Sequence, residues 1–232
     1  MTGSGAIEQG ATARDDPFAA ALRGFGPAGL GAFIVILMGN ALLPGLSGVL
    51  VLVWARLSRT PWPDLGFARP RSWPLTIVFG IICGVAFKFI MKAAVMPLLG
   101  ADPVNHAYHY LAHNRAALPG ALYALIIGAG FGEETFFRGY LFERFGKRYG
   151  RDAWAKVFTV VITTAFFGVA HIAGQGLPGA QQATVTGLVF GTVFAITRRI
   201  WLPMIAHAAF DLTALWMIYW DLETRIAHLI FR

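Results

Sequence analysis

Six apolar segments follow one another along this chain, at about 28–56, 74–98, 119–141, 154–173, 180–197 and 200–220. An α-helix needs about 20 apolar residues to cross a bilayer. Within hydrocarbon the backbone must satisfy its own hydrogen bonds, which long apolar runs do as helices. The fold class is therefore all-α: a polytopic transmembrane helical bundle of about six to eight helices. The composition agrees. Of 232 residues, 56% are hydrophobic and only 13% charged, where soluble domains carry roughly a quarter, and the mean hydropathy is +0.60. The first segment is long and carries Pro44-Gly45, which predicts a kink, a tilt or a surface portion.

The loops predict the orientation. Arg56, Arg59, Arg69 and Arg71 surround the first connection; Arg144, Lys147, Arg148, Arg151 and Lys156 fill the third; Arg198-Arg199 precede the last segment. The alternate connections hold Arg115 alone, or no Lys or Arg. Excess Lys and Arg mark cytoplasmic loops, so a six-crossing chain has both termini outside. The formal net charge of +7 is thereby assigned to topology and anionic headgroups, not to nucleic acid. The partners expected are membrane lipid and a membrane-associated peptide or protein. Residues 1–25 lack an apolar core and read as a mobile tail; residues 26–232 read as one transmembrane domain. Residues 104–115 predict a short amphipathic helix on the outer face. The lone Cys83 excludes an internal disulfide and a Cys-rich metal site.

Polar residues interrupt the apolar segments in three places. Charged groups in hydrocarbon are costly and serve a purpose where they persist. In Gly-Phe-Gly-Glu-Glu-Thr-Phe-Phe-Arg, Glu134 and Arg138 are four apart and share a helix face. Glu133 points about 100° away from Glu134, toward a cavity. A desolvated carboxylate beside a like charge suits a general base. Phe167 and His171 share a face, as do His207 and Asp211. His207 suits the stabilisation of an oxyanion, and Asp211 the fixing of its tautomer. Each pair alone also reads as a buried ion pair or a hydrogen-bonded core histidine. Together the types fit the activation of water, with the bundle arranged around a polar catalytic cavity.

The Glu-Glu-x-x-x-Arg, Phe-x-x-x-His and His-x-x-x-Asn/Asp motifs, in this order on successive apolar segments, resemble the CPBP family: type II CAAX prenyl proteases and bacterial bacteriocin-processing, abortive-infection-like membrane proteases. The resemblance covers roughly residues 60–220. It implies a CAAX-protease-like membrane endopeptidase with Glu133 as general base, His171 positioning the water, and His207 with Asp211 on the oxyanion side. Glu134, Arg138 and Phe167 are then supporting residues. The prenyl proteases carry Asn where this chain has Asp211, and an ionised carboxylate cannot donate a hydrogen bond. The resemblance favours no metal cofactor; a zinc site through Glu133, His171 and His207 is the alternative. A small transporter and a non-catalytic scaffold are the readings outside catalysis. The expected location is a bacterial inner (plasma) membrane, with multiple crossings.

Two further expectations concern packing. Gly187 and Gly191 form a small-x-x-x-small face, and Gly128, Gly130 and Gly132 line the approach to Glu133; helix packing is the expected role of all five. Lys88 and Lys92, four apart in the second segment, face an interface or the cavity. One geometric problem stands out. His171 lies about 17 residues along its helix from the cytoplasmic side and His207 about 7, a depth mismatch of roughly 15 Å at 1.5 Å per residue.

Overall fold

The computed structural model describes residues 16–231, so residues 1–15 of the expected tail lie outside the described residues. No strand occurs among the described residues. The chain forms α1 (Pro17–Arg23), α2 (Pro27–Leu42), α3 (Leu46–Leu57), α4 (Trp73–Leu98), α5 (Arg115–Tyr149), α6 (Ala153–Thr197), α7 (Trp201–Tyr219) and α8 (Glu223–Ala227). Of these, α4, α5, α6 and α7 are long and apolar enough to cross a membrane.

The first apolar segment is not a single crossing. It folds into a hairpin of α2 and α3, with 16 and 12 residues. At 1.5 Å per residue these reach about 24 and 18 Å, short of the ~30 Å hydrocarbon core. The turn is made by Gly45 at φ 86°, with its amide bonded to Asn40 Oδ1 at 2.8 Å. The tip packs on α5: Tyr123 Oη donates to Pro44 O at 3.0 Å, and a Cβ on Gly132 would stand 2.6 Å from Gly45 Cα. The base packs on the other end of α5, where Arg144 donates to the carbonyls of Arg23 and Gly24. The hairpin therefore enters and leaves on one side, the side of the Arg- and Lys-rich loops. This corrects the six-crossing count and moves the start of the described chain to that side. α1 meets α2 at 60° and seats Ala19 and Leu22 in the protein.

α6 is broken at Gly176, whose φ 65° and ψ −165° are not helical. The close approaches of its glycines fix the direction of the chain beyond the break. Gly168 meets Thr184, Gly187 meets Thr164, and Gly191 meets Val160. The two arms, 153–175 and 177–197, are thus antiparallel and correspond to the fourth and fifth apolar segments. Gly187 and Gly191 serve the packing face expected of them, as do Gly128 against Pro44, Gly130 against Ala208 and Gly132 against Gly45.

The depth mismatch is resolved by a stagger. α7 begins beside Gly139, well before the end of α5, because a Cβ on Gly139 would stand 3.2 Å from Leu65 O and 3.4 Å from Ile200 Cδ1. Ile200 N also donates to Gly66 O at 3.0 Å. Tyr149, at the end of α5, lies ten residues beyond Gly139, which is about 15 Å of helix. The 61–73 loop fills the recess, with Leu65 fully buried and the rings of Trp73 and Phe67 5.0 and 5.4 Å from that of Trp201.

The expected helix over 104–115 does not form. Before α5 begins at Arg115, only the single turn His109–Leu111 is helical. His113 takes φ 53°, and its amide donates to Tyr219 O at 3.1 Å; the Asn105 amide goes to Glu223. These tertiary bonds fix the stretch as a loop across the outer ends of the helices.

Candidate active site

α5 carries the first motif. Leu118–Tyr123 and Leu141–Tyr149 are α-helical, whereas Ala124–Glu133 and Thr135–Tyr140 are wound as π-helix. The wider i→i+5 winding is rare and occurs often at functional sites. The α-helical spacing assumed for Glu133 and Glu134 is therefore replaced by a wider one, yet the two side chains still diverge. Glu134 is fully buried; its Oε1 accepts from Arg138 Nη1 at 2.9 Å and from His207 Nδ1 at 2.7 Å. Glu133 turns the other way, into a cavity of about 240 Å³.

That cavity is lined by Glu133, His171, His207 and Asp211, with Phe167 in its wall. Glu134 and Arg138 stand behind it. Phe167 joins the groups: its ring centroid is 4.5 Å from that of His171 and 6.1 Å from that of His207, and the Arg138 guanidinium lies 4.8 Å from it. A π face beside a guanidinium is favourable and supplements the one carboxylate bond that Arg138 makes.

The two histidines are held differently. His171 Nδ1 stands 2.7 Å from Phe167 O. A carbonyl only accepts, so Nδ1 carries the proton and Nε2 is left for the cavity. His207 is 5% exposed and lies between two carboxylates, Glu134 at Nδ1 and Asp211 Oδ2 at 3.6 Å from Nε2. The second separation is longer than a hydrogen bond. Glu133 Oε2 has no hydrogen-bond partner among the described residues.

Other polar groups in the chamber are ones that sequence reading left undecided or did not single out. Lys88 lines it, whereas Lys92 turns to the outer side and bonds Glu223 Oε1 at 2.7 Å. Gln175, Gln182, Asn105 and Tyr108 also line it, and Gln175 Nε2 donates to Tyr108 Oη at 3.0 Å, tying the outer loop to α6. Burial pushes the Tyr108 phenol up, with the Asp211 and Glu133 carboxylates adding to the effect. Two glutamines on either side of a helix break carry no motif signal, so sequence reading had no means to find them.

The zinc alternative would draw on Glu133, His171 and His207. Among the described residues no three His, Cys, Asp or Glu side chains stand together as a metal-ligand set. His106 pairs with Asp102 at 3.2 Å on the surface, away from the chamber.

No curated protein and no solved structure matches the chain. Residues 115–213 do match a family, described as type II CAAX prenyl endopeptidase Rce1-like. The match runs from the start of α5 into α7 and contains all three motifs. This segment of the chain is therefore similar to the Rce1-like type II CAAX prenyl endopeptidases.

Proposed function

We propose that the protein is an intramembrane endopeptidase in which Glu133 is the general base. The observation that carries this reading is the sorting of the two adjacent glutamates. Glu134 is committed through Oε1 to Arg138 and His207, while Glu133 lines the chamber and makes no hydrogen bond or ion pair among the described residues. In the reaction, Glu133 takes a proton from a water whose oxygen attacks the scissile carbonyl carbon. His171 Nε2 orients that water. The oxyanion forms beside His207, whose Nδ1 is anchored by Glu134; in that role the ring carries a proton on Nε2 as well. Asp211, 3.6 Å from the same Nε2, helps to hold the ring's charge on that side. Glu133 then returns the proton to the leaving nitrogen, the C–N bond breaks, and an acid and an amine are released. No step is routed through a metal. The substrates are peptides or proteins at the membrane, and the setting is a bacterial plasma membrane.

The test is cleavage of a peptide library by purified protein in detergent, wild type against Glu133→Gln, each with and without a strong chelator. The expected result is wild-type cleavage indifferent to chelator and a fall of about 10²–10⁴-fold in Glu133→Gln. Wild-type activity lost to chelator and restored by zinc would overturn the metal-free mechanism. Absence of wild-type cleavage, with solute flux in proteoliposomes, would replace the peptidase by a transporter.

A further inference from the structure

Lys88 and Lys92 lie one turn apart on α4 and meet different fates. Lys92 is paired with Glu223 at 2.7 Å and also donates to Pro103 O at 2.5 Å. Lys88 is just as buried, at 5% exposure, but no carboxylate among the described residues stands within 4 Å of it. Its ammonium donates to Gln182 Oε1 at 2.8 Å and lies 4.7 Å from the Phe210 ring centroid. An ammonium has three protons to give, and a buried charge without a counter-ion is unfavourable. Asp211 and Glu223 act on Lys88 only from beyond ion-pair distance, so the ammonium makes no direct ion pair.

Its position says where the anion comes from. Lys88 lines the chamber of Glu133 and also a second cavity of about 200 Å³ on the outer side. The two cavities share Lys88, Asn105, Gln175 and Gln182. A polar corridor thus runs from the chamber outward, passing the ammonium. Glu133 and Asp211 face the same chamber; their charges disfavour a dianionic phosphate more than a singly charged carboxylate.

We infer that Lys88 and Gln182 form a subsite for a carboxylate of the peptide substrate, either its C-terminus or an acidic side chain. This rests on the peptidase reading. The ion pair that Lys88 lacks in the free protein is made on binding and sets which peptides are held.

Binding distinguishes the inference from the chemistry. A pooled library of short apolar peptides is made in three forms: C-terminal acid, C-terminal amide, and amide with one internal Asp. Affinity is measured on the Glu133→Gln protein in detergent, and cleavage on the wild type. A charge-assisted hydrogen bond corresponds to roughly ten- to hundredfold. The acid form, the Asp form or both are expected to bind tighter than the plain amide by that factor. Lys88→Gln, made in the Glu133→Gln protein, is expected to abolish the preference and Lys88→Arg to keep it. Preference for the acid form alone assigns the C-terminus; preference for the Asp form assigns a side chain. Equal binding of all three forms overturns the subsite while leaving any observed cleavage standing. Retained preference without wild-type cleavage sinks the peptidase reading and leaves the subsite.

Discussion

Gly84 is the position where one methyl group should disturb the site most. It lies on α4 against α7, and a Cβ there would stand 2.2 Å from Ala206 O and 2.8 Å from Ala209 Cβ. Ordinary contact begins near 3.4 Å, so Gly84→Ala must part the two helices by about 1 Å. The clashing oxygen is main chain and has no rotamer to escape into. His207 is the next residue after Ala206, and Asp211 lies two residues beyond Ala209, so the displacement falls on the histidine of the site. Overpacking of this kind costs about 1–3 kcal/mol. At ~2–4 °C per kcal/mol for a chain of this size, thermal unfolding in detergent should fall by several degrees. A displacement of about 1 Å costs on the order of 10²-fold in rate; shared between two helices, the expected loss is roughly ten- to hundredfold in peptide cleavage. Gly31→Ala is the control, because nothing lies within 4 Å of its Cβ; it should be neutral or stabilising by roughly 0.5–1 kcal/mol. A Gly84→Ala protein with wild-type melting and activity would refute the contact between α4 and α7 and its bearing on His207.

Other perturbations act through single contacts. Arg138→Met leaves Glu134 buried with no cation but His207 and should destabilise by about 3–5 kcal/mol, read as lost folded yield and early melting; Arg138→Lys should recover part of it. Gly176→Ala forces a side chain into φ 65°, ψ −165°, a region open essentially to glycine alone, and should cost of order 1–3 kcal/mol by the same melting assay. On the outer loop, the Val104 amide and His106 hold the Asp102 carboxyl below the usual range. Its contribution is present at neutral pH and fades as pH falls through that lowered value. Its carboxyl NMR titration should have a midpoint below that of an ordinary aspartate, and Val104→Pro, which removes the donor, should raise it.

The last five apolar segments were legible because each is a plain hydropathy run with Lys and Arg on one side. The first was not. Pro44-Gly45 marked the break, but whether a break bends a helix or reverses it depends on what the tip meets, here Ile127 and Gly132 from α5. The motif residues could be picked out by type and spacing, and the structure gathers Glu133, His171, His207 and Asp211 around one chamber. The π winding of α5 left no trace in composition. Nor did the late start of α7, which depends on the 61–73 loop rising to meet Ile200. The direction of Lys88 was undecidable from a helix that is apolar nearly all round, and so were the glutamines beside it.

The stagger that lifts the start of α7 to the level of Gly139 leaves the end of α5 and the start of α6 standing clear of it by about 15 Å. Arg144, Lys147, Arg148, Arg151 and Lys156 lie on this projecting post. Turning the protein over in the bilayer would drag all five through hydrocarbon, at about 2.5–3.5 kcal/mol each on an insertion scale. Such a barrier opposes inversion of the bundle once it is inserted.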